Sequence, residues 1–424
     1  EAELAPLLEK ARVLATSTGA LQTREAQFME ASLPSIGKRW RKGAAQALSS
    51  WRKEFLRCIL SRALEPRHKT ALHFFWRYSM GDCPTLEDLN AGNRLVLLKK
   101  KESEIRPLGI GETLEAAIDS TWMAVLREEL PSKMLPLSFA CSVSAGNEAL
   151  ARDLQLELAD EAPWSAVGKR DARNFYCSLK RKGIIQDAID FCPAFAIYVI
   201  RFLRRVTTYT LEKAPLEPGG EGFLDWSTVW GVVQGRGISF LLSNICAHKR
   251  MQWWLDIMSA CFPMLRCAQQ YTPQPLAELP EATRACLDEW KVKEDLQRLQ
   301  AAAQELAATH AAEMTPSFSI RGFVDDKTPR TPSCIIEAAL KLLDVVYVDL
   351  CVAFRDDKTV IWFCDQNPHQ GLRIAGLPVW NIHVGSVTTD PAEADLYLAG
   401  VGADDWLYHD VTAQITKTSN TVFD

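Results

Sequence analysis

Phe323-Val324-Asp325-Asp326 sets two adjacent acids behind two apolar residues. The run before it, Ser317-Phe318-Ser319-Ile320-Arg321-Gly322, alternates loosely and is rich in β-formers. Lys327-Thr328-Pro329 reads as a break directly after the acids. The pattern predicts strand, tight turn, strand, with the carboxylates at the tip. Residues 162–171, closing on Gly168-Lys169-Arg170-Asp171, make a second apolar-to-acid transition and read as another strand. Carboxylates on neighbouring strands can meet at one spot, where Mg²⁺ bridging a triphosphate would have to sit. An acid pair alone says little: Asp356-Asp357 and Asp404-Asp405 have the same form, and such pairs usually belong to solvated turns.

The chain of 424 residues is long enough for two or three substructures, with apolar and charged fractions ordinary for a globular protein. That excludes a disordered or fibrous chain. Its twelve cysteines show no CxxC pair and no Cys/His cluster at zinc spacing, so free thiols in a reducing compartment are expected. No apolar run reaches the roughly 18 residues of a membrane span, and the N-terminus has no signal-peptide pattern. An intracellular, nuclear setting without membrane contact is expected. A net charge of -5 is unhelpful for a nucleic-acid protein, but charge is unevenly spread. Lys38, Arg39, Arg41, Lys42, Arg52, Lys53, Arg57, Arg62, Arg67 and Lys69 face only Glu54 and Glu65 in that stretch, giving either a basic face or a solvated helical surface.

Residues 1–90 carry helical stripes and read as an N-terminal helical extension. Arg94-Leu95-Val96-Leu97-Leu98-Lys99-Lys100-Lys101 and Arg106-Pro107-Leu108-Gly109-Ile110-Gly111 fit two short strands joined by a basic turn. Thr113 can cap a helix to about 129. A long helical stretch over 184–209 is broken at Pro193, and its Arg201, Arg204 and Arg205 could meet phosphate or solvent. Residues 228–235 read as a strand running into a helix from Ser239 to about 260. An Ala/Gln/Glu/Lys-rich run over about 270–315 reads as an inserted projecting helix or helical hairpin.

Taken in order, Asp171, the Gly/Gln turn at 231–235, Asp325-Asp326 and Lys358 resemble the motif series of the reverse transcriptases, within them the non-LTR retrotransposon type. Asp171-Ala172-Arg173-Asn174-Phe175-Tyr176 is similar to the family's first metal-binding motif. Gly231-Val232-Val233-Gln234-Gly235 is similar to its Gln-Gly motif, Phe323-Val324-Asp325-Asp326 to its aromatic-x-Asp-Asp hairpin, and Asp357-Lys358-Thr359 to its lysine motif. The likeness covers about residues 90–410. It departs at Phe175, where a small residue is usual and whose bulk would alter the sugar pocket, at Arg236, where an acid is frequent, and in the long interval before the hairpin.

The resemblance implies an α/β (α+β) right-hand polymerase: fingers over 91–165 and an antiparallel-sheet palm over 166–424, with finger helices at about 184–228. The thumb would be largely absent, which suggests a piece of a longer protein. A primer-grip hairpin falls at 372–378 or, preferably, 397–405, with Asp404-Asp405 as a turn. The resemblance further implies RNA-directed DNA synthesis from dNTPs on an RNA template and a DNA primer, in a retroelement. Two Mg²⁺ ions, or Mn²⁺, would be held by Asp171, Asp325, Asp326 and the Ala172 carbonyl. Lys358 would serve the pyrophosphate leaving group, Lys99, Lys100 and Arg106 the triphosphate, Tyr176 the sugar, and Gln234 with Gly235 the templating pair. The alternatives are a catalytically inactive or domesticated scaffold that binds RNA or protein, and an RNA-dependent RNA polymerase. Oligomeric state stays open.

Overall fold

A computed structural model describes residues 3–30, 56, 65–83, 92–101, 104–141, 143–159, 164–212, 223–310, 315–363 and 382–384. Some of these, Lys99, Lys100 and Arg106 among them, are described by backbone alone. Most of the basic run over 38–67 and both primer-grip candidates lie outside the described residues. The fold is α+β with two mixed sheets. Two compact units divide it, Glu1–Leu130 with Tyr176–Cys246 and Pro131–Phe175 with Ala247–Asp424. The strands in chain order are β1 (Gly92–Lys101), β2 (Glu104–Gly111), β3 (Ser165–Asp171), β4 (Thr207–Glu212), β5 (Phe223–Thr228), β6 (Arg266–Cys267), β7 (Ser317–Phe323), β8 (Asp326–Pro332), β9 (Val360–Phe363) and β10 (Ile382–Val384).

In the first unit the sheet order is β2-β1-β4-β5. The outer pairs are antiparallel and β1 runs parallel to β4. The helix Pro193–Leu203 is apolar nearly all round, as a helix surrounded by others must be, and nine of its residues are buried. Pro193 separates it from Arg181–Phe191 by holding Cys192 extended at φ -160°. Phe28, Trp76, Trp122 and Phe195 form an aromatic core, with ring centroids 5.4 Å apart for Phe28–Trp76 and for Trp122–Phe195.

Arg236 and Arg201 lie inside this unit, not at its surface. Arg236 donates to both Asp119 oxygens at 2.9 and 2.8 Å and reaches Glu115 at 3.3 Å. Arg201 stacks over Tyr78 and pairs with Glu115 at 3.4 Å. The phosphate-or-solvent reading of Arg201 is therefore wrong: its carboxylate partner comes from the helix Thr113–Leu126, over 80 residues away in the chain. That helix also ends three residues earlier than the pattern suggested.

In the second unit the order is β10-β9-β3-β8-β7-β6, with β9, β3, β8 and β7 antiparallel and the end strands β10 and β6 parallel to their neighbours. The helix Ile336–Val346 packs on this sheet. It comes so close that a Cβ on Gly168 would meet the Leu340 side chain at 2.6 Å. Trp254 and Trp290 donate to the carbonyls of Ala339 and Ala338, at 2.9 and 3.2 Å. The insertion therefore does not project: its helices Glu281–Lys293 and Leu296–Thr309 bury Leu287, Trp290, Leu299 and Ala303, because the stripe read along it is a packing face.

The long helix Gly237–Cys261 carries His248, whose ring burial lowers its pKa to about 4, with Lys249 adding to the shift. A depressed histidine contributes stability that is full above its unfolded value near 6.5 and is lost as pH falls through about 4. Parent stability in chemical denaturation should fall over that window relative to His248→Asn by on the order of 2 kcal/mol. Parallel pH profiles for the two proteins would contradict this.

Candidate active site

The hairpin stands as the alternation predicts: β7 ends at Phe323, Val324 and Asp325 form the loop, and β8 begins at Asp326. Val324 has φ +54°, the sign a two-residue hairpin asks of its first loop position and one that a β-branched residue rarely takes. Lys327-Thr328-Pro329 is no break. These residues are inside β8, and Lys327 is completely buried.

Register places the acids. In the β3–β8 pairing Asp171 lies directly opposite Asp326, and Arg170 opposite Lys327. The Ala172 N–H donates to the Asp325 carbonyl at 3.2 Å, which fixes the loop against the end of β3. Burial raises Asp326 to about 6, against the pull of Lys169 and with the push of Asp325 and Asp171. Lys169 lies 3.7 Å from Asp326, and Lys358 lies 3.1 Å from Asp171.

Lys358 is delivered by a short turn, Asp356–Lys358, that is itself anchored. Arg170, buried under the Phe354 ring, binds Asp356 at 2.9 Å and Asp344 at 2.6 Å, and Arg355 holds Asp357 at 2.6 Å. Asp356 and Asp357 are thus turn residues with arginine partners, as the pattern suggested.

Lys327 is the residue that sequence reasoning missed. Its side chain leaves β8 on the face opposite to that of Asp326. There its ammonium donates to the Val324 carbonyl at 2.5 Å and sits over the rings of Phe175 and Tyr347, at 5.2 and 5.8 Å. Burial lowers it to about 8, opposed by Asp325, Asp326 and Asp171. Phe175 is therefore a wall of this cation's cage and not a sugar contact. No local sequence signal marks it, because its partners Phe175 and Tyr347 are brought to it only by the fold.

The remaining candidates belong to the first unit. The turn Gly231–Gly235 is stitched by backbone: Gly231 N–H to the Leu179 carbonyl at 2.9 Å, Val232 N–H to that of Tyr176 at 2.8 Å, and Gly109 N–H to that of Gln234 at 2.8 Å. So Tyr176, Gln234 and Gly235 are brought to strand β2, three residues along from Arg106. The expected strand over 228–235 stops at Thr228, since Gly231 and Gly235 both take positive φ. Lys99 and Arg106 lie near the β1–β2 turn, Lys99 paired with Ile105 and Arg106 with Leu98. Lys100 falls in the register shift between Lys99 and Lys101.

For a divalent cation, the carboxylate oxygens of Asp171, Asp325 and Asp326 are the hard donors that Mg²⁺ takes. The burial that raises Asp326, with the neighbouring Asp325 and Asp171 adding to it, is a stress such a cation relieves. Among the described residues, however, no three His, Cys, Asp or Glu side chains already converge as a metal site. Lysines face Asp171 and Asp326 instead, so these would have to turn aside.

No protein-family model matches the chain. None of the curated proteins matches it either. Among solved structures it is similar to a telomerase from Candida albicans in complex with a fragment of telomeric RNA, at 12% identity and a TM-score of 0.38. The match covers 69% of this chain, which spans 46% of that one. At that distance the likeness carries no functional inference.

Replacing Gly231 by alanine should destabilise the first unit by about 2 kcal/mol or more, because its φ is +66° and a Cβ would lie 2.5 Å from the Tyr176 carbonyl. Urea denaturation of the variant tests it; an unchanged midpoint would show that the turn can open without cost.

Proposed function

We propose that this chain is a reverse-transcriptase-like nucleotidyltransferase, adding dNTPs to a primer 3′-hydroxyl on an RNA template. The single observation that carries the reading is the register pair Asp171–Asp326 beside the Asp325 loop, with Lys358 3.1 Å from Asp171. Two carboxylates opposed across a strand pair, next to a third on a tight turn, form the oxygen-rich corner that phosphoryl transfer uses.

Asp171, Asp325 and Asp326 would hold Mg²⁺ or Mn²⁺ there, with the Ala172 carbonyl as a further donor. When bound, the ions would neutralise the triphosphate and lower the barrier to in-line attack on the α-phosphate. Lys358, freed from Asp171, then faces the pyrophosphate and can stabilise or protonate it. Lys169, freed from Asp326, adds a second cation on that side. Lys327 stays in the core and holds the loop that carries Asp325. Gln234 and Gly235 offer a backbone surface to the templating base pair, Tyr176 a ring to the sugar, and Lys99, Lys100 and Arg106 charge to the phosphates. A retroelement source and a nuclear setting accompany this reading.

One observation favours a second reading. With Lys358 on Asp171 and Lys169 on Asp326, the acids are already neutralised, as in a scaffold that binds RNA without copying it. Primer extension on poly(rA)/oligo(dT) with dTTP and Mg²⁺ separates the two. Incorporation should be lost with EDTA and in Asp325→Asn/Asp326→Asn, and should fall about 10²-fold in Lys358→Ala. If the parent chain incorporates nothing while holding RNA, the scaffold reading stands, and incorporation of rNTPs in place of dNTPs would move the assignment to an RNA-copying RNA polymerase.

A further inference from the structure

Arg236 directly follows the Gln234-Gly235 turn, and the helix Gly237–Cys261 begins after it. An arginine here departs from the reverse-transcriptase pattern, and its side chain is buried. The guanidinium grips Asp119 with two nitrogens, Nε to Oδ2 at 2.9 Å and Nη2 to Oδ1 at 2.8 Å. Glu115, one turn earlier on the helix Thr113–Leu126, lies 3.3 Å from Nη2, and the Phe202 ring lies 4.2 Å from the guanidinium carbon. Tyr198 braces the pair from behind by donating its hydroxyl to Asp119 at 2.5 Å. A planar guanidinium held through two nitrogens by one carboxylate fixes direction as well as distance. A buried ion pair contributes little net stability, and its better-attested effect is to fix a register.

The register at stake is that of the turn on strand β2. The Gly109 N–H donates to the Gln234 carbonyl at 2.8 Å, and the Arg236 N–H closes the turn on the Val233 carbonyl at 3.3 Å. Strand β2 runs straight into the helix that carries both acids, Gly111 ending the one and Thr113 beginning the other. A single stretch of chain, residues 109–119, therefore holds the turn twice, by backbone at Gln234 and by side chain at Arg236. The backbone of Gln234 is fixed in this way while its side chain stays half-buried.

The approach is close. A Cβ on Gly111 would lie 3.2 Å from the Arg236 Cδ, and one on Gly235 would lie 3.0 Å from the Gly109 carbonyl oxygen. The other end of the turn is held by a different segment, Gly231 and Val232 donating to the carbonyls of Leu179 and Tyr176. With two anchors on two segments, one end can be loosened while the other stays in place.

From this we infer that Arg236 is a positioning residue: through Asp119 it holds Gln234 and Gly235 against β2, and so sets how well a correct base pair is told from a wrong one. The inference rests on the reading of this turn as the surface for the templating pair. Arg236 itself meets no nucleic acid. A turn already held in place need not be ordered when the pair arrives, and a displacement of about 1 Å is enough to misalign reacting groups. The anchor lies wholly within the first unit.

Hydrogen exchange and primer extension on the full chain test it together. Asp119→Asn keeps the shape of the side chain and removes the charge that grips Arg236. In this variant the Gly109 amide should exchange about tenfold faster, as the loss of one charge-assisted bond implies, while the Gly231 and Val232 amides keep the parent rate. Tyr198→Phe withdraws only the hydroxyl behind Asp119 and should move Gly109 in the same direction by less. On poly(rA)/oligo(dT), the preference for dTTP over dGTP, taken as a ratio of kcat/KM values, should fall about tenfold in Asp119→Asn. A smaller folded fraction would lower both rates alike and leave that ratio unchanged. An unchanged Gly109 amide, or equal acceleration of all three amides, would overturn the assignment. So would a faster Gly109 amide with an unchanged nucleotide preference. If Asp119→Asn fails to fold, Tyr198→Phe decides by the same outcomes. A parent that incorporates nothing, with Gly109 alone responding in the variants, would remove the polymerase reading and leave Arg236 as the anchor of the turn.

Discussion

Antiparallel pairing of β3 with β8 sets Asp171 opposite Asp326 on one face of the sheet and Arg170 opposite Lys327 on the other. Like charges directly across a strand pair repel, so neither arrangement is stable alone. Back to back they offset one another, and each face recruits further partners. Lys358 and Lys169 approach the acids, while Asp344 and Asp356 take the Arg170 guanidinium. The rest of the second unit follows from this quartet. The turn Asp356–Lys358 is where it is because Arg170 holds Asp356, and the helix Ile336–Val346 is tied to the same guanidinium through Asp344 and the Leu340 carbonyl. One arginine thus links the packing of a helix to the position of a lysine beside the acids.

Much of this was legible in the chain, for reasons that differ by residue. The 317–326 hairpin could be read because alternation and a two-residue loop are local signals. The break at Pro193 was equally local, since proline acts on its own neighbour. Lys327 could not be read that way. A lysine followed by Thr-Pro is ordinary turn composition, and only the register of β8 and the rings of Phe175 and Tyr347 make it a core residue. Arg201 and Arg236 escaped for the same cause, their partners Glu115 and Asp119 being distant in sequence. The inserted helices gave away their apolar stripe but not its destination on Ile336–Val346, because an amphipathic pattern states that a face is buried and not against what.

The buried cations also alter what net charge can say. Eight basic side chains, Arg170, Arg181, Arg201, Arg236, Arg250, Arg321, Lys327 and Arg330, are buried among the described residues, against five acidic ones. Among the described residues, folding therefore removes more positive than negative charge from the surface. Each cation so buried is one that no longer adds to diffuse attraction toward a polyanion. Arg181 shows what a buried cation can do without a carboxylate: its guanidinium donates to the carbonyls of Leu203, Thr228 and Gly231 and to the Thr207 hydroxyl, and so fixes residues 203–207 beside 228–231. A buried arginine of this kind acts through the backbone it holds and adds nothing to the surface charge.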